Sequence, residues 1–409
     1  MQWQQPIPKH YLQMPKAALM DRIAALKATL GKRLVILGHH YQQDDVVAFA
    51  DFVGDSFQLS RQAAQLTEAE FVVFCGVHFM AESADVLTSP EQKVILPDLG
   101  AGCSMADMAQ PKDISDAWEV ITDACADIDG FELIPITYVN SSAAVKSFVG
   151  QHGGAVCTSS NCESVLRWAL GNQKPGDPSR RKIIFFPDQH LGRNTAYRMG
   201  FALDSMVTWD YRALRGGLTN QQIRDANFVL WKGHCSVHQL FRPEHVDDIR
   251  RRVPGIQIIV HPECRWEVVQ KADLVGSTEF IGRTIREAAP GSKWAVGTEV
   301  HMVSRLAKAH LDKQIVILSD CQCLCTTMYR IDPPHLLHVL DHLAEGKVIN
   351  QISVNDYDRY WSRVSLQWML DITGGRPITP PPEPVPSPRL HGGDISPKAS
   401  TRHLAVVAE

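Results

Sequence analysis

Histidine, cysteine, tyrosine, glutamate and hydroxyl side chains crowd the ends of short apolar runs in this chain. Leu34–Leu37 runs into Gly38-His39-His40-Tyr41-Gln42, and later runs end in Cys75-Gly76-Val77-His78, Gly102-Cys103 and Tyr138-Val139-Asn140. Others end in Cys157-Thr158-Ser159-Ser160-Asn161, Gly233-His234-Cys235-Ser236-Val237-His238, His261-Pro262-Glu263-Cys264, Gly276-Ser277-Thr278 and Cys321-Gln322-Cys323-Leu324-Cys325. His, Glu and Tyr are the side chains that exchange protons with a substrate, and cysteine thiolates bind metals. Ser and Thr beside a helix start can hold phosphate or carboxylate without a basic residue. Asp55-Ser56, Thr158-Ser159-Ser160 and Gly276-Ser277-Thr278 are such places, although plain N-capping explains any single one equally well. One histidine at a strand end is commonly a packing residue; nine loaded ends together call for chemistry.

Ten cysteines in a chain without an export signal point to reduced thiols, as metal ligands or small buried side chains. Cys235-x-x-His238 and Cys321-x-Cys323-x-Cys325 lack the paired C-x₂-C spacing of a structural zinc module. An iron–sulfur cluster tolerates ligands distant in sequence, provided they converge in space. Spacing alone leaves iron–sulfur, zinc and no metal open.

The elements that must position these groups follow one rhythm: a β-branched or aromatic run, a Gly, His or Asp, then a helical stretch. That rhythm marks βα units and parallel sheets, an α/β chain. Strands are predicted at Leu34–Leu37, Phe71–Phe74, Val94–Leu96, Leu133–Ile136, Ala155–Val156, Ile183–Phe186, Phe228–Trp231, Ile256–Val260, Trp294–Val296 and Ile315–Leu318. Helices are predicted at Asp44–Ala64 (with Asp44 and Asp45 as N-caps), Ile114–Ala126, Cys162–Leu170, Pro243–Arg252, Trp266–Ala272, Thr284–Ala289 and Val300–Ala309. Grouped in threes, the strands show a weak repeat. Pro97-Asp98-Leu99-Gly100 and Pro187-Asp188-Gln189-His190-Leu191-Gly192 close the first two sets, and the third ends at Gly233-His234-Cys235, His261-Pro262-Glu263 and Gly297-Thr298-Glu299. Three similar α-β-α sandwich domains result, spanning 1–117, 118–225 and 226–375, the last with a C-terminal helical segment. A single doubly wound sheet is the alternative. Residues 376–409 form a Pro-rich tail without the apolar content to fold alone.

With 409 residues, 44% hydrophobic and 21% charged, the chain has the composition of a globular protein with real cores. A net charge of −4 argues against nucleic acid or a membrane surface as partner. No apolar run reaches the ~20 residues of a membrane span. With no signal-like N-terminus, the expected location is cytoplasmic.

In their order along the chain, these blocks resemble quinolinate synthases. Gly38-His39-His40-Tyr41-Gln42, Gly54-Asp55-Ser56, Cys75-Gly76-Val77-His78-Phe79-Met80-Ala81-Glu82, Tyr138-Val139-Asn140 and Cys157-Thr158-Ser159-Ser160-Asn161 come first. Pro187-Asp188-Gln189-His190-Leu191-Gly192, Cys235-Ser236-Val237-His238, His261-Pro262-Glu263-Cys264 and Gly276-Ser277-Thr278 follow, so that the match covers residues 34 to 330. The resemblance implies three homologous domains in a pseudo-threefold triangle around a central active site. It implies condensation of iminoaspartate with dihydroxyacetone phosphate to quinolinate, the precursor of the NAD pyridine ring, releasing phosphate and water. It also implies a [4Fe-4S] cluster on Cys103, Cys235 and Cys325 with one open iron site, Cys325 being chosen because Met328 follows it in a C-x-x-M spacing.

On the matching positions Tyr41, His39 and Glu263 form the acid–base set, and His39 and His261 orient the substrate. Ser56, Tyr138, Asn140, Ser159 and Thr278, with Ser277 as a neighbour, bind carboxylate or phosphate. An aspartate oxidase is the implied source of the imine. A C-x-C-x-C run stands where many relatives have C-x-x-C-x-x-C, so the choice between Cys323 and Cys325, and a redox pairing among the three, stay open. Two other readings compete: a mononuclear zinc or iron hydrolase or lyase, and a non-enzymatic iron–sulfur oxygen sensor.

Overall fold

The computed structural model describes residues 4–320 and 323–378. Its strands form three separate sheets. In the first, β1 (Leu34–His39), β2 (Phe52–Gly54), β3 (Phe71–Cys75) and β4 (Lys93–Ile95) run parallel in the order β4-β3-β1-β2. In the second, β5 (Glu132–Tyr138), β6 (Ala155–Cys157), β7 (Arg181–Phe186), β8 (Met206–Trp209) and β9 (Phe228–Trp231) run parallel in the order β6-β5-β7-β9-β8. In the third, β10 (Gln257–Val260), β11 (Leu274–Val275), β12 (Lys293–Gly297) and β13 (Gln314–Ile317) run parallel in the order β11-β10-β12-β13. A last strand, β14 (Gln351–Ile352), returns antiparallel to β4.

These runs become strands because both faces are covered by crossover helices, which demands continuous apolar sequence in place of alternation. All five residues of β3, Phe-Val-Val-Phe-Cys, are buried, and Lys182 to Phe186 of β7 are buried as well. Each fully buried Val, Ile or Phe contributes about 1.5–3 kcal/mol relative to exposure. Helix starts follow the capping residues. Asp55 accepts from Gln58 N, Asp188 from His190 N and Leu191 N, Ser277 from Phe280 N and Asn355 from Asp358 N.

All ten predicted strands are present; the differences lie in what joins them. The long helix expected over Asp44–Ala64 is two helices, Asp44–Val47 and Ser56–Gln65, separated by edge strand β2. Asp44 and Asp45 lie inside the first turn rather than at the cap, and Asp44 instead meets Arg305 and Lys308. The helix expected at Thr284–Ala289 begins six residues earlier, at Thr278, where Ser277 supplies the cap. Phe228–Trp231, grouped in sequence with the third set, hydrogen-bonds between β7 and β8 of the second sheet. The C-terminal segment, expected with the third set, packs on the other two. Helix Pro333–Ala344 lies on Lys16–Leu30, with Arg22 paired to Asp341 at 2.9 Å.

Helix Asp356–Thr373 runs along Ala143–Gln151. Ser362 Oγ donates to Ala143 O (2.6 Å) and Ser365 Oγ to Lys146 O (2.9 Å). Gly150 permits this approach, since a Cβ there would meet the Trp361 carbonyl oxygen at 2.2 Å. From the same helix Arg363 reaches Val86 O and Thr88 O of the first sheet's layer.

Cys321 and residues 379–409, most of the expected tail, lie outside the described residues. Among those described, no helix is long and apolar enough to cross a membrane.

Candidate active site

Every strand-end loop singled out by its chemistry leaves the carboxyl end of a parallel strand, where open α/β sheets gather ligand groups. Loops from all three sheets meet around one cavity. Cross-sheet hydrogen bonds fix them. Ser160 Oγ donates to Asp55 Oδ2 (2.9 Å), joining the second sheet to the first. Asn194 Nδ2 donates to Pro262 O (2.8 Å) and Cys264 O (2.9 Å), joining the second to the third. Arg305 Nη1 donates to Gln42 O (2.6 Å), joining the third to the first.

Twelve of the thirteen site residues expected from sequence line this cavity: His39, Tyr41, Ser56, Cys103, Tyr138, Asn140, Ser159, Cys235, His261, Glu263, Thr278 and Cys325. Ser277 does not; its hydroxyl caps the helix that presents Thr278. Cys323 is fully buried in the core beneath the third sheet, whereas Cys325 faces the cavity. Cys75, Cys125, Cys157, Cys162 and Cys264 are buried elsewhere and do not line it. Val77, Phe79, Met80 and Met105 supply an apolar wall, and Gly233 lets the loop to Cys235 pass against Pro187, whose carbonyl oxygen a Cβ would meet at 2.2 Å.

The acid–base groups form a connected set. Glu263 Oε2 stands 3.0 Å from His261 Nδ1 and 3.2 Å from His238 Nδ1, and the two imidazoles stack at 4.5 Å between centroids. His238 Nε2 lies 3.2 Å from Thr298 Oγ1, which lies 2.8 Å from Tyr41 OH. Hydrogen bonds thus run from His238 through Thr298 to Tyr41, with Glu263 Oε2 at ion-pair distance from the other ring nitrogen of His238. Glu263 Oε1 is buried and has no protein partner, so its free oxygen is available at the cavity. Asn140 Oδ1 is likewise buried and unpartnered. His39 Nδ1 accepts from Tyr41 N (3.1 Å), which places its ring proton on Nε2.

Electrostatics sorts these groups by protonation. Burial works against a charge on Glu263, but His238 and His261 beside it hold the carboxyl below the ordinary range, so it is ionised at neutral pH. Burial, with His40 and Arg305 adding to it, holds His39 well below the usual imidazole value. Burial, followed by the charge of Glu263, lifts Tyr41 and Tyr138 well above the usual phenol value, so both are neutral hydroxyls. Burial also pushes the thiols up, Cys103 to about 12, with Cys235 and Cys325 raised too. A metal that takes the sulfur displaces that proton.

His238 and Thr298 are residues that sequence reasoning quoted without assigning a role. Only the fold shows that they bridge Tyr41 and Glu263. A second grouping overlaps them: ligand atoms of Cys235, His238 and Glu263 all lie within 4.8 Å of one another, a donor set that would also suit zinc.

Comparison with known proteins places the chain among relatives. A family model described as quinolinate synthetase A protein matches residues 21–371. A protein of Acidobacterium capsulatum named quinolinate synthase is 55% identical over 367 residues, covering 89% of this chain and 96% of the relative. Proteins of the same name from a Nocardioides species and Geobacillus thermodenitrificans are 54% identical over 359 residues (87% of this chain, 90% of the relative) and 49% identical over 365 residues (89% and 96%).

Proposed function

The chain belongs to the quinolinate synthetase A family and acts as a quinolinate synthase of NAD biosynthesis, and from that premise we propose how its central cavity does so. The substrates are iminoaspartate and dihydroxyacetone phosphate, which condense to quinolinate with loss of phosphate and water; an aspartate-oxidising enzyme supplies the imine. The observation that carries this reading is the meeting in one cavity of three thiols with a buried acid–base path, each thiol on a different strand-end loop.

Cys103, Cys235 and Cys325 fit a [4Fe-4S] cluster with one iron left open. They are the only cysteines among those described that line the cavity, and an iron–sulfur cluster accepts thiolates distant in sequence that converge in space. When bound, the open iron supplies a Lewis acid for a substrate hydroxyl or carboxylate.

The protein's own groups do the rest. Glu263 Oε1, ionised and unpartnered, takes the proton from a substrate carbon, and the paired imidazoles of His238 and His261 steady the carboxylate. Tyr41, kept a neutral phenol, donates to a carbonyl or departing hydroxyl oxygen, and the path through Thr298 and His238 returns a proton to it. Anionic groups are held by Ser56, Tyr138, Asn140, Ser159 and Thr278, with Ser277 holding the turn before Thr278. Ser56 and Thr278 are each the first residue of a ten-residue helix, so backbone N–H groups add to their hydroxyls. His39, neutral, donates a hydrogen bond from Nε2 rather than a charge.

The second reading, a mononuclear zinc or iron enzyme, rests on the Cys235, His238 and Glu263 grouping. Metal analysis separates the two. Anaerobically purified protein should hold about four irons and four sulfides, with a broad brown absorption, and should form quinolinate from the two substrates. Cys103→Ala, Cys235→Ala and Cys325→Ala should each lose the cluster. One zinc in a colourless protein, or a cluster that survives Cys325→Ala, would overturn the assignment.

A further inference from the structure

Two surface depressions share a wall with the central cavity, and their charges are opposite. One shares Thr278 with it and is bordered by His40, Glu279, Arg286, Arg305 and His310. The other shares Phe79 and Cys103 and is bordered by Glu82, Asp107, His78 and Gln110. The first therefore carries two guanidinium groups against one carboxylate, the second two carboxylates and no lysine or arginine. We propose that anionic substrates enter through the first groove, steered by Arg286, and that the acidic depression is not their route. The proposal rests on the substrates named above, both of which are anions.

The geometry assigns distinct parts to the two arginines. Arg305 is committed to structure: it donates to the carbonyl oxygens of His40 and Gln42 and pairs with Asp44 at 3.1 Å, fixing the loop that carries Tyr41. Arg286 has no such duty. Its nearest carboxylate, Glu279, is 3.8 Å away and also lies 3.7 Å from His40, and more than half of the Arg286 side chain is exposed. Arg286 follows Thr278 by about two turns, ~12 Å, on one helix, and both line the groove, so the guanidinium marks its outer end and Thr278 the end that borders the cavity. The whole chain is net negative, at −4, so attraction of an anion must come from a local field of this kind. Charges at a groove mouth act over about a Debye length, ~8 Å at physiological salt, and fade at high salt.

The test compares Arg286→Gln, Arg286→Glu and Asp107→Asn with the parent, as iron–sulfur-loaded protein, in quinolinate formation at low and high salt. Steering by Arg286 predicts a KM for dihydroxyacetone phosphate raised about three- to fivefold in Arg286→Gln and about tenfold in Arg286→Glu. In both, kcat is unchanged and the difference collapses in 0.5 M salt, while Asp107→Asn behaves as the parent. If Arg286→Gln leaves KM unchanged, or if Asp107→Asn lowers it, the groove is not the route. Calorimetric titration with inorganic phosphate reads the same groove without turnover. A weaker phosphate affinity in Arg286→Gln supports steering even in a preparation that forms no quinolinate, an outcome that would count against the proposed reaction instead. Equal affinity in parent and variant overturns the steering.

Discussion

Replacing Thr298 by valine tests the path between Tyr41 and Glu263 with almost no change of shape. The side chain is fully buried, and its hydroxyl touches two groups, Tyr41 OH at 2.8 Å and His238 Nε2 at 3.2 Å. Valine fills the same volume but offers neither contact. Tyr41 is already lifted by burial and by the charge of Glu263, and the Thr298 hydroxyl is the neighbour that opposes this rise. Its loss makes the phenol harder to ionise and cuts its route of proton return. A hydrogen bond to a group that gains charge is worth about 1.5–3 kcal/mol, and 1.36 kcal/mol is a factor of ten in rate. Thr298→Val should therefore lower kcat about 10- to 150-fold, leave KM within about twofold, and retain full iron and sulfide. Thr298→Ser, which keeps the hydroxyl, should recover most of the loss. Steady-state kinetics with iron analysis decides it. A valine variant with parental kcat and an intact cluster would refute the path, and a serine variant as slow as valine would show that the methyl group, not the hydroxyl, matters.

Two further outcomes concern stability. His190 is buried, and burial with Arg193 nearby lowers its pKa to about 3. Between pH 6.5 and that value the unfolded chain binds the proton that the folded chain refuses, so stability must fall as pH falls. The slope is about 1.4 kcal/mol per pH unit, or ~2 kcal/mol from pH 6.5 to 5 for this residue. Glu263, held low, loses its contribution only below about pH 4.5, outside that window. Denaturant midpoints at the two pH values should show a smaller drop in His190→Gln than in the parent; equal drops would remove His190 as a cause. Gly150→Ala should destabilise by about 1–3 kcal/mol, although alanine is by itself the better helix former, because its Cβ would strike the Trp361 carbonyl. A thermal midpoint unchanged or raised would mean that the two helices can separate without loss.

The sequence displays most of the site because parallel sheets place chemistry at strand ends. Buried runs such as Phe-Val-Val-Phe-Cys stand out, and residues soon after several of them line the cavity. Hence Tyr41, Asn140, Glu263 and Cys325 are legible from the residues that precede them. Edge strands are less so. Phe52–Gly54 and Leu274–Val275 are two or three residues long and only partly buried, too short for a pattern, and the first hid inside a stretch that scans as helix. The partner sheet of Phe228–Trp231 is set by tertiary pairing, since an all-apolar run carries no mark of its neighbours. Thr298 carries no mark of a role for another reason: a threonine after a strand-end glycine is ordinary, and what distinguishes it lies in two contacts with residues 60 and 257 positions away.

The C-terminal helices set a timetable for synthesis. β4 is complete by Ile95, yet its antiparallel neighbour is Gln351–Ile352, and the Asn161 side chain that holds Thr158 beside Ser159 is itself held by Thr373. At ordinary elongation speeds of about 5–20 residues per second, those 258 positions between Val94 and Ile352 take on the order of ten to fifty seconds. Throughout that interval the nascent chain carries an open edge on β4, and the loop at Thr158, once made, lacks its anchor until Thr373 follows.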